Sequence, residues 1–129
     1  MQNKIPTVRV GIVGIYAVRV IELKLPDVKI VNFDASHKNY YPSAELTKAI
    51  AQCMNYVVEI ESLSMNKETF FKPRATIIIG SSQELSADEK RFLRLLNANY
   101  HNIRIYTYQQ LLIKAKNSLD FIVKRTNVE

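Results

Sequence analysis

Glu22 and Lys24 stand two residues apart in VRVIELKLPD, residues 18 to 27. Residues two apart in an extended chain share a face. Both side chains therefore point the same way as Val18 and Val20, while Arg19, Ile21 and Leu23 point the other way. A carboxylate and an ammonium so placed form a solvated face, an ion pair or the working centre of a site. As a site, the carboxylate would hold a divalent cation through oxygen. The lysine one pleat away would position, or help deprotonate, a water on that cation, and the cation would stabilise charge growing on a phosphodiester.

Other stretches offer weaker chemistry. VRVGIVG places Gly11 and Gly14 at the end of an apolar strand. A dinucleotide-binding turn needs G-x-G-x-x-G leading into a helix. Here the spacing is G-x-x-G, no third glycine follows and the next segment is β-rich, so that reading is rejected. IIIGSSQ ends a strand in Gly80, Ser81 and Ser82, which could touch a phosphate. It lacks the lysine of a P-loop and reads better as a strand-to-helix turn. Cys53 falls at an apolar helical position and reads as buried packing. His37 and His101 stand alone, with no Cys/His cluster to hold zinc.

The elements that must position Glu22 and Lys24 follow from periodicity. Residues 8–15 and 17–25 read as two β-rich runs joined near Tyr16, a hairpin. Residues 28–33 alternate apolar and polar, a third short strand, and DASHKNYYPS reads as loop. From about Ser43 to Ser62, Leu46, Ala49, Ile50, Cys53, Val57 and Ile60 form one buried stripe of a helix. Glu45, Lys48, Gln52, Tyr56 and Glu59 form a polar stripe beside it. ATIIIG is a continuous apolar strand of the kind buried on both faces. Ser86 with Glu89 makes a capping box opening a helix to about Tyr100, with Phe92, Leu93 and Leu96 inward. IRIYT is another strand. Thr107 with Gln110 repeats the capping box and opens a last helix, with Leu111, Leu112, Ala115, Leu119 and Ile122 on one side. A meander followed by alternating helices and strands predicts one mixed sheet flanked by helices, in the α/β class.

Composition bounds the possibilities. The 129 residues are 47% hydrophobic and 23% charged, ordinary globular values that exclude a disordered chain. No apolar run reaches the ~20 residues of a membrane span, and no signal peptide pattern is present. A single cysteine excludes an internal disulfide, and a soluble, cytoplasmic protein is expected. The formal charge of +6 is uneven. Residues 1–62 carry seven Lys/Arg against six Asp/Glu, and residues 63–129 carry eleven against six. An excess of +5 in the second half suits an anionic partner such as nucleic acid.

The order of these parts resembles the PD-(D/E)XK nuclease fold, and more narrowly the nuclease domain of the Shedu anti-phage defence family. The resemblance rests on VIELKLP at 20–26, SAELTKAIAQCMNYV at 43–57, FKPRATIIIGS at 71–81, FLRLLN at 92–97 and IRIYTYQQLL at 103–112. It covers the chain from about Pro6 to Leu112. It implies that Glu22 is a metal ligand and Lys24 the group that positions water or stabilises charge. It further implies that Gln52 reaches into the site and that the Leu23 backbone carbonyl is an extra ligand. The implied cofactor is Mg²⁺ or Mn²⁺ and the implied partner is DNA, with Lys48, Lys72 and Arg74 as contacts. The family's first strand carries an Asp in a Pro-Asp pair; here Pro6 is followed by Thr7, and no carboxylate occurs between Met1 and Ile21. Asp27, Asp34 or Glu45 would have to compensate. The family's helix before the first strand is also missing, so residues 1–129 are expected to be a single nuclease-like domain, N-terminally truncated or the C-terminal portion of a larger protein, or a degenerate member.

Three functions follow as expectations. One is a metal-dependent endonuclease cutting DNA with activated water. The second is a nuclease-derived module that binds nucleic acid or mediates assembly without cutting. The third, from IIIGSS and the alternating second half, is a small nucleotide-binding or regulatory α/β domain. The resemblance also implies a homo-oligomer; the loop residues Tyr40, Tyr41, Phe70 and Phe71 would either serve as contact points or pack against their own core.

Overall fold

The computed structural model describes residues 8–13, 18–64 and 74–126. Its strands are β1 (Val8–Val13), β2 (Val18–Leu23), β3 (Val31–Asp34), β4 (Asn39–Pro42), β5 (Arg74–Ile78) and β6 (Ile103–Tyr106). Its helices are α1 (Ala44–Ser64), α2 (Ala87–Asn99) and α3 (Tyr108–Thr126), with a short 3-10 turn at Ser82–Glu84. The fold is mixed α/β. A four-stranded sheet runs in the order β1-β2-β5-β6, with β1 antiparallel to β2 and β2, β5 and β6 parallel.

The expected three-stranded meander is corrected. β3 leaves the main sheet and pairs with β4, a segment read as loop, in a separate two-stranded sheet. The turn between them explains this. The Asp34 carboxylate accepts hydrogen bonds from the Ser36 hydroxyl (2.6 Å) and backbone amide (3.0 Å), reversing the chain locally. The Ser36 and His37 bonds hold the Asp34 carboxyl down at about 2. The register then sets Phe33 opposite Tyr40, with ring centroids 4.8 Å apart, and Tyr40 packs on Phe92 at 6.3 Å. Tyr40 is thus part of this chain's own packing, whereas Tyr41 is exposed; Phe70 and Phe71 lie outside the described residues.

The core lies between the main sheet and α1. Leu46, Ala49, Ile50, Cys53 and Val57 are buried along one stripe, as the 3.6-residue period requires, against Val20, Ala75, Ile77 and Ile79 of the sheet. Ser43 opens α1 with its side-chain oxygen accepting the Leu46 amide at 3.1 Å. α2 packs on β6 from the same side through Leu93, and both reciprocal bonds of the Ser86–Glu89 capping box form. The Asn97 side chain satisfies the Ile105 amide (2.7 Å) and carbonyl (2.9 Å), closing part of the β6 edge.

The last helix departs from expectation. The Thr107–Gln110 capping box forms, and Leu111 is half-buried. Beyond it the predicted inward stripe is outside: Leu112 is 66% exposed, Leu119 60% and Ile122 59%. β6 is an edge strand among the described residues, so only the first turns of α3 have described sheet beneath them. No helix among the described residues is long and apolar enough to cross a membrane.

One turn ties the sheet end together. Gly80 has a φ of +67°, in the region glycine tolerates and other residues resist. A Cβ there would meet the Ile30 side chain at 2.5 Å and the Val28 carbonyl at 2.7 Å. Its amide donates to the Leu25 carbonyl (3.1 Å) and its carbonyl accepts from the Tyr108 amide (3.1 Å). Gly80→Ala should lower stability by about 2–4 kcal/mol, combining backbone strain with overpacking. Urea titration checks this; an unchanged midpoint would contradict it.

Candidate active site

β2 occupies the middle of the sheet, between β1 and β5. Alternation holds along it: Val20, Glu22 and Lys24 are buried, whereas Ile21 and Leu23 are half-buried on the other side. The surprise is which face looks inward. Glu22 is 0% exposed and Lys24 7%, so both lie on the side covered by α1, and the solvated-face reading is excluded.

A buried charge needs partners to be tolerated. The Lys24 ammonium is 3.8 Å from Glu22 Oε1 and donates to Gln52 Oε1 at 3.5 Å. The Cys53 thiol donates to Glu22 Oε2 at 3.4 Å. Gln52 and Cys53 are consecutive on α1, so one helix turn contacts both members of the pair. The structure thus brings together Glu22, Lys24 and Gln52, as expected from sequence. It adds Cys53, which is fully buried as predicted but also touches the carboxyl.

Glu22 Oε1 has no hydrogen-bond partner and is buried from solvent, alone in this respect among the described residues. A carboxylate oxygen that accepts no hydrogen bond is what a hard divalent cation would satisfy, and Mg²⁺ is commonly held by one or two carboxylates with water and substrate phosphate completing the shell. Lys24 N–H donates to the Ile78 carbonyl at 2.8 Å, so by strand alternation the Leu23 carbonyl faces β1. Its register partner there is Val8, the first described residue of β1. Glu22 Oε1 is thus the carboxylate donor that this centre offers among the described residues. No group of three His, Cys, Asp or Glu suited to a metal occurs among the described residues. Asp34 is committed to its own turn, and neither Asp27 nor Glu45 joins Glu22 in such a group. Thr7 lies outside the described residues.

The strand end is fixed by residues that sequence reasoning left without a role. The Tyr108 hydroxyl donates to the Lys24 carbonyl, and burial pushes that phenol up from its ordinary value. Gln109 accepts from the Ser82 amide at 2.8 Å and donates to the Ser81 hydroxyl at 2.8 Å. The Gly80–Ser82 turn is thus a structural brace, and nothing in it calls for a phosphate. The T-Y-Q-Q run was visible, but contacts spanning 84 residues leave no local trace.

The two expected DNA contacts that are described, Lys48 and Arg74, sit on different elements. Lys48 is exposed on α1, Arg74 is exposed at the start of β5, and Lys72 lies outside the described residues. Asp34 holds His37 at 2.7 Å in an exposed turn, and His101 is exposed.

Residues 13–112 match the family described as Shedu protein SduA, C-terminal. The chain belongs to the Shedu anti-phage family. The matched Shedu region spans β2 with Glu22 and Lys24, all of α1, and the Gly80 and Tyr108 brace. Comparison with curated proteins returns no match.

The burial of the pair predicts its energetics. Lys24→Met alone strands the Glu22 carboxyl and should cost about 3 kcal/mol. Glu22→Met combined with Lys24→Met should unfold within about 1 kcal/mol of the parent, or above it, because apolar replacement of both partners removes the desolvation penalty. Chemical denaturation of the two variants checks the pattern. A double variant less stable than the single would contradict it.

Proposed function

We propose that this chain is a metal-dependent DNA endonuclease domain of the PD-(D/E)XK type acting in anti-phage defence. The observation that carries the reading is the convergence of Glu22, Lys24 and Gln52 at the end of β2, with one buried Glu22 oxygen lacking a hydrogen-bond partner. A carboxylate kept dry and under-satisfied costs stability, about 1–3 kcal/mol for an unmade bond. Such a cost is expected where the group serves chemistry.

Glu22 Oε1, with the Leu23 carbonyl, would hold Mg²⁺ or Mn²⁺. When bound, such a cation supplies a Lewis acid for the phosphodiester and makes water more acidic. Lys24 does the work nearest the reacting atoms: its ammonium orients the attacking water and offsets charge growing on the phosphoryl oxygens. Gln52 keeps that ammonium at the site through its side-chain oxygen. Cys53 fixes the rotamer of Glu22 from the opposite oxygen.

A second reading has its own support. Glu22 is fully buried and no second carboxylate joins it among the described residues, which favours a module that binds nucleic acid or mediates assembly without cutting.

Incubation with plasmid and linear DNA in Mg²⁺ or Mn²⁺ separates the two. The endonuclease reading predicts cleavage that falls by about 100-fold or more in Lys24→Ala and in Glu22→Gln, the latter preserving side-chain shape. DNA retention in a gel without cleavage supports the second reading. Cleavage undiminished in both variants would overturn the assignment of this centre.

A further inference from the structure

The face of the sheet turned away from α1 carries a different feature. Alternation and register put Ile21, Thr76 and Arg104 in one row across β2, β5 and β6, on the side opposite Glu22 and Ile77. α3 crosses above this row with its first turns. Between them lies a cavity of about 420 Å³ lined by Arg74, Arg104 and Lys114 together with Tyr106 and Leu111. No acidic side chain lines it among the described residues.

Three cations around one concavity are informative because of what they lack. None of Arg74, Arg104 and Lys114 forms an ion pair with a described residue. Each nevertheless comes from a different element, so the clustering is made by the tertiary fold and is not a run of basic sequence. Arg104 is partly anchored, donating from Nη1 to the Asn97 carbonyl at 3.2 Å, which orients the guanidinium while further N–H groups remain to bind a ligand. The Lys114 ammonium rests 4.6 Å from the centre of the Tyr106 ring. That contact holds the charge at the groove rim through a cation–π attraction. The floor is apolar, from Ile21 and Ile78. Volume, charge and apolar floor together match a ligand carrying phosphate and a flat organic ring.

We propose that this groove is a second site, separate from the Glu22 centre, binding the phosphate of a nucleotide, free or within a single strand. The arginines grip phosphate oxygens with paired N–H groups, which suits guanidinium geometry. Lys114 supplies a third charge, and the base lies against Tyr106 and the apolar floor, the usual pairing of positive groove and aromatic platform. The site does not depend on the hydrolytic reading, because it sits on the other face of the sheet and is read by binding alone.

The test is equilibrium binding at low salt, with ATP by calorimetry and a short fluorescein-labelled single-stranded oligonucleotide by anisotropy. Arg74→Ala/Arg104→Ala, Lys114→Ala and, as a control on α2, Arg91→Ala are compared with the parent. Saturable binding of either probe is expected, weakened about tenfold or more in the double variant and less in Lys114→Ala, with Arg91→Ala unchanged. Binding of ATP identifies a free nucleotide as ligand; binding of the oligonucleotide alone identifies a strand. In the latter case the slope of log affinity against log salt should fall by about 0.7 per lost phosphate contact. Lys114→Ala truncates an exposed side chain and decides the matter should the double variant melt early. Absence of saturable binding to either probe, or equal weakening by Arg91→Ala, would overturn the proposal.

Discussion

A carboxyl group with no exposure to water, pressed between a central strand and the helix that covers it, is the constraint on which the rest of this molecule turns. Glu22 must be met by groups that its own strand cannot all supply. Lys24 provides charge from the next position on the same face, and α1 provides Gln52 and Cys53. α1 can do so only if its stripe of Leu46, Ala49, Ile50, Cys53 and Val57 seats it on β2 and β5. The hydrophobic core and the polar centre are therefore one packing problem. A shift of α1 that spoiled the core would also strip the carboxyl of its partners.

The far end of the sheet is held with equal care. Lys24 is bonded through its amide to Ile78 and through its carbonyl to Tyr108, and Leu25 is bonded to Gly80. Gly80 is the residue that lets these backbones approach, since a Cβ there would strike Ile30 and the Val28 carbonyl. Residues remote in sequence thus fix the angle at which the lysine leaves the strand. Such support is what a site needs when sub-ångström placement matters. The opposite face of the same sheet is left to arginine and tyrosine, so one sheet carries two chemically distinct surfaces.

Much of this was legible in sequence for physical reasons. The alternation of 18–24 places Glu22 and Lys24 together, the 3.6-residue stripe of α1 defines its buried side, and Ser86 and Thr107 announce their helices through capping geometry. The direction in which the Glu22 face points is not local information, because Ile21 and Leu23 are as apolar as Val18 and Val20. Only the presence of α1 on one side settles it. The β3–β4 hairpin was hidden because NYYP becomes a strand through the Asp34 turn and the Phe33–Tyr40 contact, not through its own pattern. The outer stripe of α3 misled in the other direction: amphipathic spacing promises a buried face, and an edge strand offers nothing broad enough to bury it. Cys53 read correctly as buried, yet its bond to a residue 31 positions away needed the fold.

The central claim is that the Glu22 oxygen lacking a hydrogen bond is held for a divalent cation. Calorimetric titration of the protein with Mn²⁺, in parallel with Glu22→Gln, measures this most directly. Saturable Mn²⁺ binding to the parent that disappears in Glu22→Gln, with both proteins melting cooperatively, is the predicted result. Mn²⁺ binding of equal strength in both, or none in the parent, would contradict it.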